Sequence, residues 1–301
     1  MLVSRRPRLG RLIGYVGWPV LLLLVYDFAV VFSYEVLDWK WLGSPHVPLT
    51  LYGSAIGIIV GFRNNSSYGR WWEARQLWGS VVNNSRSFAR QALTGLRSVN
   101  DPESALVQKK LVYRQIAYVH ALRAHLRGLQ PWDELVRLLP ADELSLMRVQ
   151  RNVPLALQQR QGMLARECRD RGWLDPIAWQ SIDRSIDDLA DAQGGCERIK
   201  NTPMPKQYDW FPQLFVQIYC FFLPLGMVQD LHWFTPIGST LVGFMFLALD
   251  KIGRDLEDPF DNSIFDVPLT SITRGIEINL RQLLGETELP EPTVPDRDVL
   301  W

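Results

Sequence analysis

Hydrophobic and polar residues segregate on a long scale along this chain. Apolar runs occupy Leu12 to about Val36, Val47 to Phe62, Phe211 to Val228 and Pro236 to Leu249, and a long charged stretch separates the first pair from the second. The first run is longer than a signal-peptide core and no small-residue cleavage site follows it, so a membrane helix is expected there. The second run covers only about 16 residues, short of the roughly 20 that a lipid-facing span needs. A helix lining an aqueous axis has no such requirement. This run also turns polar at Arg63 without a helix stop and is expected to continue through Trp71, Glu73, Trp78 and Arg86 towards Thr94. In the third run Pro224 should kink the helix, which membrane helices tolerate when neighbours satisfy the freed backbone. A tight turn over Gln229 to Thr235 then leads to the fourth run. Four spans place both termini in the cytosol. The basic flank of Arg5, Arg6, Arg8 and Arg11, against outer loops almost without basic residues, predicts the same orientation.

The charged stretch from Ser98 to about Lys206 reads as helical throughout. Helices are expected over Val107 to Arg127, closed by Gly128 and Pro131, then over Pro131 to Leu139, Ala141 to Asn152, Pro154 to Arg171, closed by Gly172, and Pro176 to Ile199. In the last of these Ile177, Ile182, Ile186 and Leu189 are placed on an inward face. A final helix is expected over Thr270 to Leu284, followed by a proline-rich acidic end that should be extended on the surface or disordered. No strand alternation occurs, so the fold class is all-α. The expected organisation is residues 1–98 for the first two spans and the continuation of the second, 99–206 for a cytosolic helical region, 207–255 for the other two spans, and 256–301 for a cytosolic C-terminal segment.

Composition narrows the function. The formal net charge is zero, so no basic field argues for nucleic acid. Many of the 12 tryptophans flank apolar runs: Trp18, Trp39, Trp41, Trp71, Trp72, Trp210 and Trp233, as expected of anchors at a membrane interface. Cys168, Cys196 and Cys220 have no paired spacing, which argues against a disulfide scaffold or a zinc site. No nucleophile–base constellation, G-x-x-x-x-G-K-S/T or H-E-x-x-H motif occurs, so neither an enzyme of soluble type nor a cofactor is expected. Asp27 sits in the middle of the first span and is a functional candidate by position. A hydrogen bond to a neighbouring helix is the favoured reading. His120 and His125 lie five apart, not on one helix face. Asp183, Asp187, Asp188 and Asp191 could line a cation-attracting vestibule, though a solvated helix face is favoured. Arg70 and Glu73 are spaced to pair along one helix.

The second span carries the most specific pattern. Gly53, Gly57 and Gly61 recur every four residues and share one face, as small residues do where membrane helices approach closely. Ser54, Ile58 and Phe62 recur with the same step about 100° further round. With several copies around an axis they become stacked rings spanning about 12 Å. Apolar rings in a watery pore gate by dewetting. Arg63, Asn64 and Asn65 should then face water or neighbouring subunits just beyond the gate.

The run GFRNNSSYGRWWEARQLWG, Gly61 to Gly79, resembles the signature of the bestrophin family, most closely its bacterial branch, and EDPFDNSIFDVPL, Glu257 to Leu269, resembles the family's second landmark. With the hydropathy layout, the resemblance covers the chain to about Glu286. It implies a homopentameric ion channel of the cell's inner membrane with a long cytosolic helical extension, whose partners are other copies of the chain, membrane lipids and the permeating ions. It places the family's pore neck on Ser54, Ile58 and Phe62. The family favours bulky apolar residues at all three, so Ser54 predicts a wider, wetter outer ring. Animal members bind calcium at the second landmark through a belt of carboxylates. Here Asp258 and Asp266 match, while Ser263, Ile264 and Phe265 replace acids. Calcium wants six to eight oxygen ligands, so no metal site is expected on this remnant; a tight turn at Asp258, Pro259 and Phe260 is expected instead. Ile177 or Ile186 is a candidate for a second, cytosolic constriction. Anion conduction, chloride above all, is the family default. A monovalent cation channel of the same architecture and a membrane-anchored scaffold are the alternatives. A membrane enzyme using Asp27, Asp258 and Asp266 ranks last. The abrupt polar switch at Arg63 on a continuing helix favours a channel over a scaffold.

Overall fold

The helices follow the apolar and capping signals closely. In the computed structural model of the chain, residues 1, 9–43, 48–96 and 102–301 are described, the side chains of 9–13 excepted. The expected basic flank at Arg5, Arg6 and Arg8, the Arg11 side chain and residues 44–47 of the outer loop lie outside the described residues. Ten α-helices are described: α1 Leu9–Glu35, α2 Leu49–Gly95, α3 Pro102–Leu126, α4 Trp132–Leu138, α5 Ala141–Arg148, α6 Val153–Asp170, α7 Pro176–Asn201, α8 Lys206–Leu231, α9 Thr235–Glu257 and α10 Leu269–Leu283. No strand occurs among the described residues, only an isolated bridge between Asp296 and Val299. Cap chemistry sets several boundaries. Asp175 accepts from the amides of Ile177 and Ala178, both at 2.9 Å, with Pro176 at the first helical position of α7. Asn152 caps α6 through the Leu155 amide at 3.1 Å. Gly128 and Gly172 adopt left-handed φ of 66° and 76° just past α3 and α6.

The chain forms two compact units: an apolar one of residues 4–71 and 203–258, and a polar one of residues 1–3, 72–202 and 259–301. The 47-residue α2 contributes to both. Within the apolar unit the contacts fix helix directions. Leu23 and Asp27 of α1 meet Gly243 and Ser239 of α9 in reverse order, so these helices are antiparallel. The same holds for Met227 with Gly238, then Tyr219 with Phe246, between α8 and α9, and for Leu49 with Gly226, then Gly53 with Tyr219, between α2 and α8. The four helices therefore alternate in direction through the unit.

Gly14–Glu35 and the 52-residue stretch Lys206–Glu257 are long and apolar enough to cross a membrane. The latter is divided into α8 and α9 at His232, whose φ is 48°. Trp18, Leu22, Phe28, Trp210, Phe221, Leu241 and Met245 are exposed on the outside of this unit. Soluble monomers rarely carry apolar patches beyond a few hundred Å², so this surface calls for lipid or further protein.

In the polar unit Phe88, Ala92, Leu111, Ala165, Cys168, Ile182 and Ile186 form one buried cluster. Several interior polar groups pair with one another. Gln115 donates to Ser85 at 2.8 Å and accepts from Gln161 at 2.7 Å. Arg114 is bidentate on Glu143 at 2.6 and 2.9 Å. The C-terminal end is extended and docked, not free: the Ser271 amide donates to the Trp301 carbonyl at 2.6 Å, and Val299 is buried.

Candidate functional site

The membrane-side half of α2 has one buried face, and it is neither the glycine stripe nor the Ser54 stripe. Ile56, Val60, Arg63 and Ser67 are buried. They follow the i, i+4, i+7, i+11 positions of one helix face. Ser54, Ile58 and Phe62 lie about 180° from that face. Ile58 is 61% and Phe62 67% exposed. The unit thus leaves an apolar stripe uncovered while satisfying the opposite side. Ser54 turns its hydroxyl back onto the Thr50 carbonyl at 2.8 Å, so its own helix absorbs the polar atom.

The flanks of the stripe differ. On one side are the glycines. A Cβ at Gly53 would lie 2.6 Å from the Tyr219 hydroxyl, whereas nothing lies within 4 Å of one at Gly57 or Gly61. On the other side, Tyr52, Ala55 and Ile59 of α2 and Phe215, Ile218 and Phe222 of α8 line an apolar groove of about 610 Å³. Both flanks sit roughly 90–100° from the exposed stripe.

Arg63 and Asn64 are not where the polar switch placed them. Arg63 is 2% exposed and turns into the unit, where Nη1 donates to Asp250 Oδ1 at 2.8 Å. Asn64 donates to the Leu249 carbonyl at 2.8 Å. Asn65 remains exposed. A buried guanidinium needs a carboxylate, and the end of α9 supplies it. Arg70 donates from Nε to the Glu257 carbonyl at 3.1 Å, and Glu73 pairs with Arg198, so the expected Arg70–Glu73 rung gives way to other partners. Asp27 is buried and accepts from Ser239 at 3.0 Å and Thr240 at 2.8 Å on α9, an interhelical tie.

The two candidates for a second constriction part company. Ile177 is 80% exposed, while Ile186 is 9% exposed and packed in the polar unit's core. Only Ile177 is available to line a passage. Asp183, Asp187, Asp188 and Asp191 follow the outer side of α7, and the last three are exposed. His120 meets Glu277 at 2.9 Å and His125 meets Glu197 at 3.4 Å.

At the second landmark, Pro259 and Phe260 form a turn after α9, and Phe260 is fully buried. Ser263 takes up the buried Asp266: its amide donates to Oδ2 at 3.1 Å and its hydroxyl donates to Oδ1. Asp266 belongs to the polar unit and Asp258 to the apolar one. Among the described residues no group of three or more His, Cys, Asp or Glu side chains is arranged to hold a metal ion.

Comparison with known proteins adds to this geometry. A family model described as bacterial/fungal bestrophin protein matches residues 5–282. A voltage-dependent anion channel-forming protein of Escherichia coli strain K12 is 33% identical over 288 residues, covering 96% of this chain and 93% of the relative. A protein of the same description from Ralstonia nicotianae is 38% identical over 242 residues, covering 80% and 78% of the two chains. The crystal structure of a bacterial bestrophin homolog from Klebsiella pneumoniae matches with a TM-score of 0.85 at 32% identity, over 91% of this chain and all of that one.

Proposed function

The chain belongs to the bacterial and fungal bestrophin family, and we propose that it is an anion channel, formed by several copies of the chain around an axial pore. Ion conduction, not catalysis, is its activity, and the membrane is its place of action. One observation carries the pore assignment: α2 leaves Ser54, Ile58 and Phe62 uncovered on the face opposite its buried one. In a ring those residues face the axis, and the two flanks face the neighbours. The small-residue flank of one copy meets the apolar groove of the next, a head-to-tail contact of the kind that closes rings. Five copies, four spans per copy, cytosolic termini and an inner-membrane location follow the family pattern. Ile58 and Phe62 form the dry part of the neck, and Ser54 forms an outer ring whose hydroxyl is already satisfied. Ile177 is the candidate for a cytosolic constriction.

A monovalent cation channel of the same build is the second reading. Asp187, Asp188 and Asp191 are exposed on α7, and a row of carboxylates raises local cation concentration. Purified protein in planar bilayers under a KCl gradient separates the two. Reversal near the chloride equilibrium potential is the expected result. Reversal near the potassium potential selects the cation reading. No current from wild type or from Phe62→Ala selects a membrane-anchored scaffold.

A further inference from the structure

Arg63 follows Phe62 directly, yet it belongs to the buried face of α2 and its side chain enters the interior of the apolar unit. It meets several partners there. Nη1 donates to Asp250 Oδ1 at 2.8 Å and Nη2 donates to the Asp250 carbonyl. Asp209 of α8 approaches Nη1 at 3.6 Å. Arg254, one turn beyond Asp250, holds the second carboxylate oxygen at 3.0 Å. Two guanidinium groups and two carboxylates from α2, α8 and α9 thus form a cluster with no formal net charge. Gly253 makes room for it and for its neighbour, since a Cβ there would run into Asn64 Oδ1 and lie 2.6 Å from Arg63 Nη2. Nearer its start, α2 is seated by Leu49 against Gly226 and by Gly53 against Tyr219. Those contacts are close but uncharged. The ion pair fixes α2 more stringently, because a buried charge that loses its partner is strongly destabilising.

We propose that Arg63 and Asp250 are the positioning pair of the neck. By fixing the rotation and depth of α2 one residue beyond Phe62, they set how far the apolar rings stand from the axis. A dewetting gate depends on that radius, and each residue of slip turns the helix by about 100°. The proposal rests on the channel reading above.

Two variants test it in planar bilayers. Asp250→Asn keeps the side-chain shape and one acceptor oxygen but removes the charge. Gly253→Ala keeps every charge, introduces a better helix former, and displaces the Arg63 guanidinium together with the Asn64 amide. Each is expected to change open probability by about tenfold. In a Phe62→Ala background, where the ring they position is gone, neither should change it further; such non-additivity marks action through the neck. If Asp250→Asn does not assemble, Gly253→Ala gives the same reading with all charges in place. Unchanged open probability in assembled variants, or effects that add to Phe62→Ala, or failure of both variants to assemble, overturns the proposal in favour of a clamp that is only structural. In each of those cases wild-type current leaves the channel reading standing. A silent wild type ends both.

Discussion

Glu277 shows how charge is held inside the polar unit. It is buried, with His120 at 2.9 Å, Arg274 at 3.1 Å and Arg281 at 3.8 Å. Burial pushes its carboxyl up, but the hydrogen bond from His120 and the nearby charges of His120 and Arg274 outweigh it, and the net shift is downward. A carboxylate depressed in the folded state contributes stability that is fully present above its ordinary pKa of about 4.3 and is lost as pH falls through the lower folded value. Melting temperature, followed by near-UV circular dichroism, should therefore drop as pH is taken from about 5 to about 3. Glu277→Gln should flatten that part of the curve; an unaltered slope would remove Glu277 from the account. Arg114 and Glu143 make a cleaner pair, both buried and bidentate. Glu143→Ala should cost about 3–5 kcal/mol by stranding the guanidinium. Replacing both, as Arg114→Met with Glu143→Leu, should recover most of that in denaturant melts. Arg274 and Arg281 sit three and four positions from Glu277, a spacing the sequence shows, but His120 and Glu277 lie 157 residues apart and Arg114 and Glu143 29 apart, and no local pattern links either pair.

At the scale of helices the sequence was far more legible. The glycine stops after α3 and α6 and the Asp175 cap of α7 have local causes that spacing and residue type reveal. Two misreadings have different origins. A polar residue after an apolar run reads as exposed, which puts Arg63 in water; its carboxylate lies 187 residues on. Ile177 and Ile186 were put on one face, but nine residues turn a helix through about 900°, which leaves them on opposite sides. That signal was available in the spacing. The two now predict opposite outcomes. Ile186→Ala opens a core cavity and should cost about 2–5 kcal/mol with conduction intact. Ile177→Ala should leave stability within about 0.5 kcal/mol and raise conductance if Ile177 forms a constriction. On α2 itself, Phe62→Ala removes an exposed ring that touches no core and should raise open probability or conductance. Single-channel records of unchanged amplitude and dwell time would sink the neck assignment.

For the whole molecule the exposed apolar unit needs a cover, and α2 supplies a test within one stripe. Gly53 and Gly57 are four residues apart on one face, yet their surroundings differ. A side chain at Gly53 runs into Tyr219 of the same chain, while one at Gly57 meets nothing. Gly53→Leu should therefore damage the protomer, seen as a lower melting temperature and reduced folded yield. Gly57→Leu should leave the protomer's helicity and melting unchanged, because no atom of its own chain is in the way. If copies pack glycine flank to apolar groove, the added leucine falls at the contact, where small residues allow close approach. Light scattering in detergent should then report a smaller particle for Gly57→Leu than for wild type, and bilayer current should fall with it. Filling the groove from the other side, by Ala55→Trp, should have the same effect, since the groove lies on the opposite flank of the same helix. A ring needs both flanks at every joint, so each substitution breaks every joint at once. A particle of wild-type mass from both variants would mean that neighbours meet elsewhere, and that the stripe at Ser54, Ile58 and Phe62 faces lipid and not an axis.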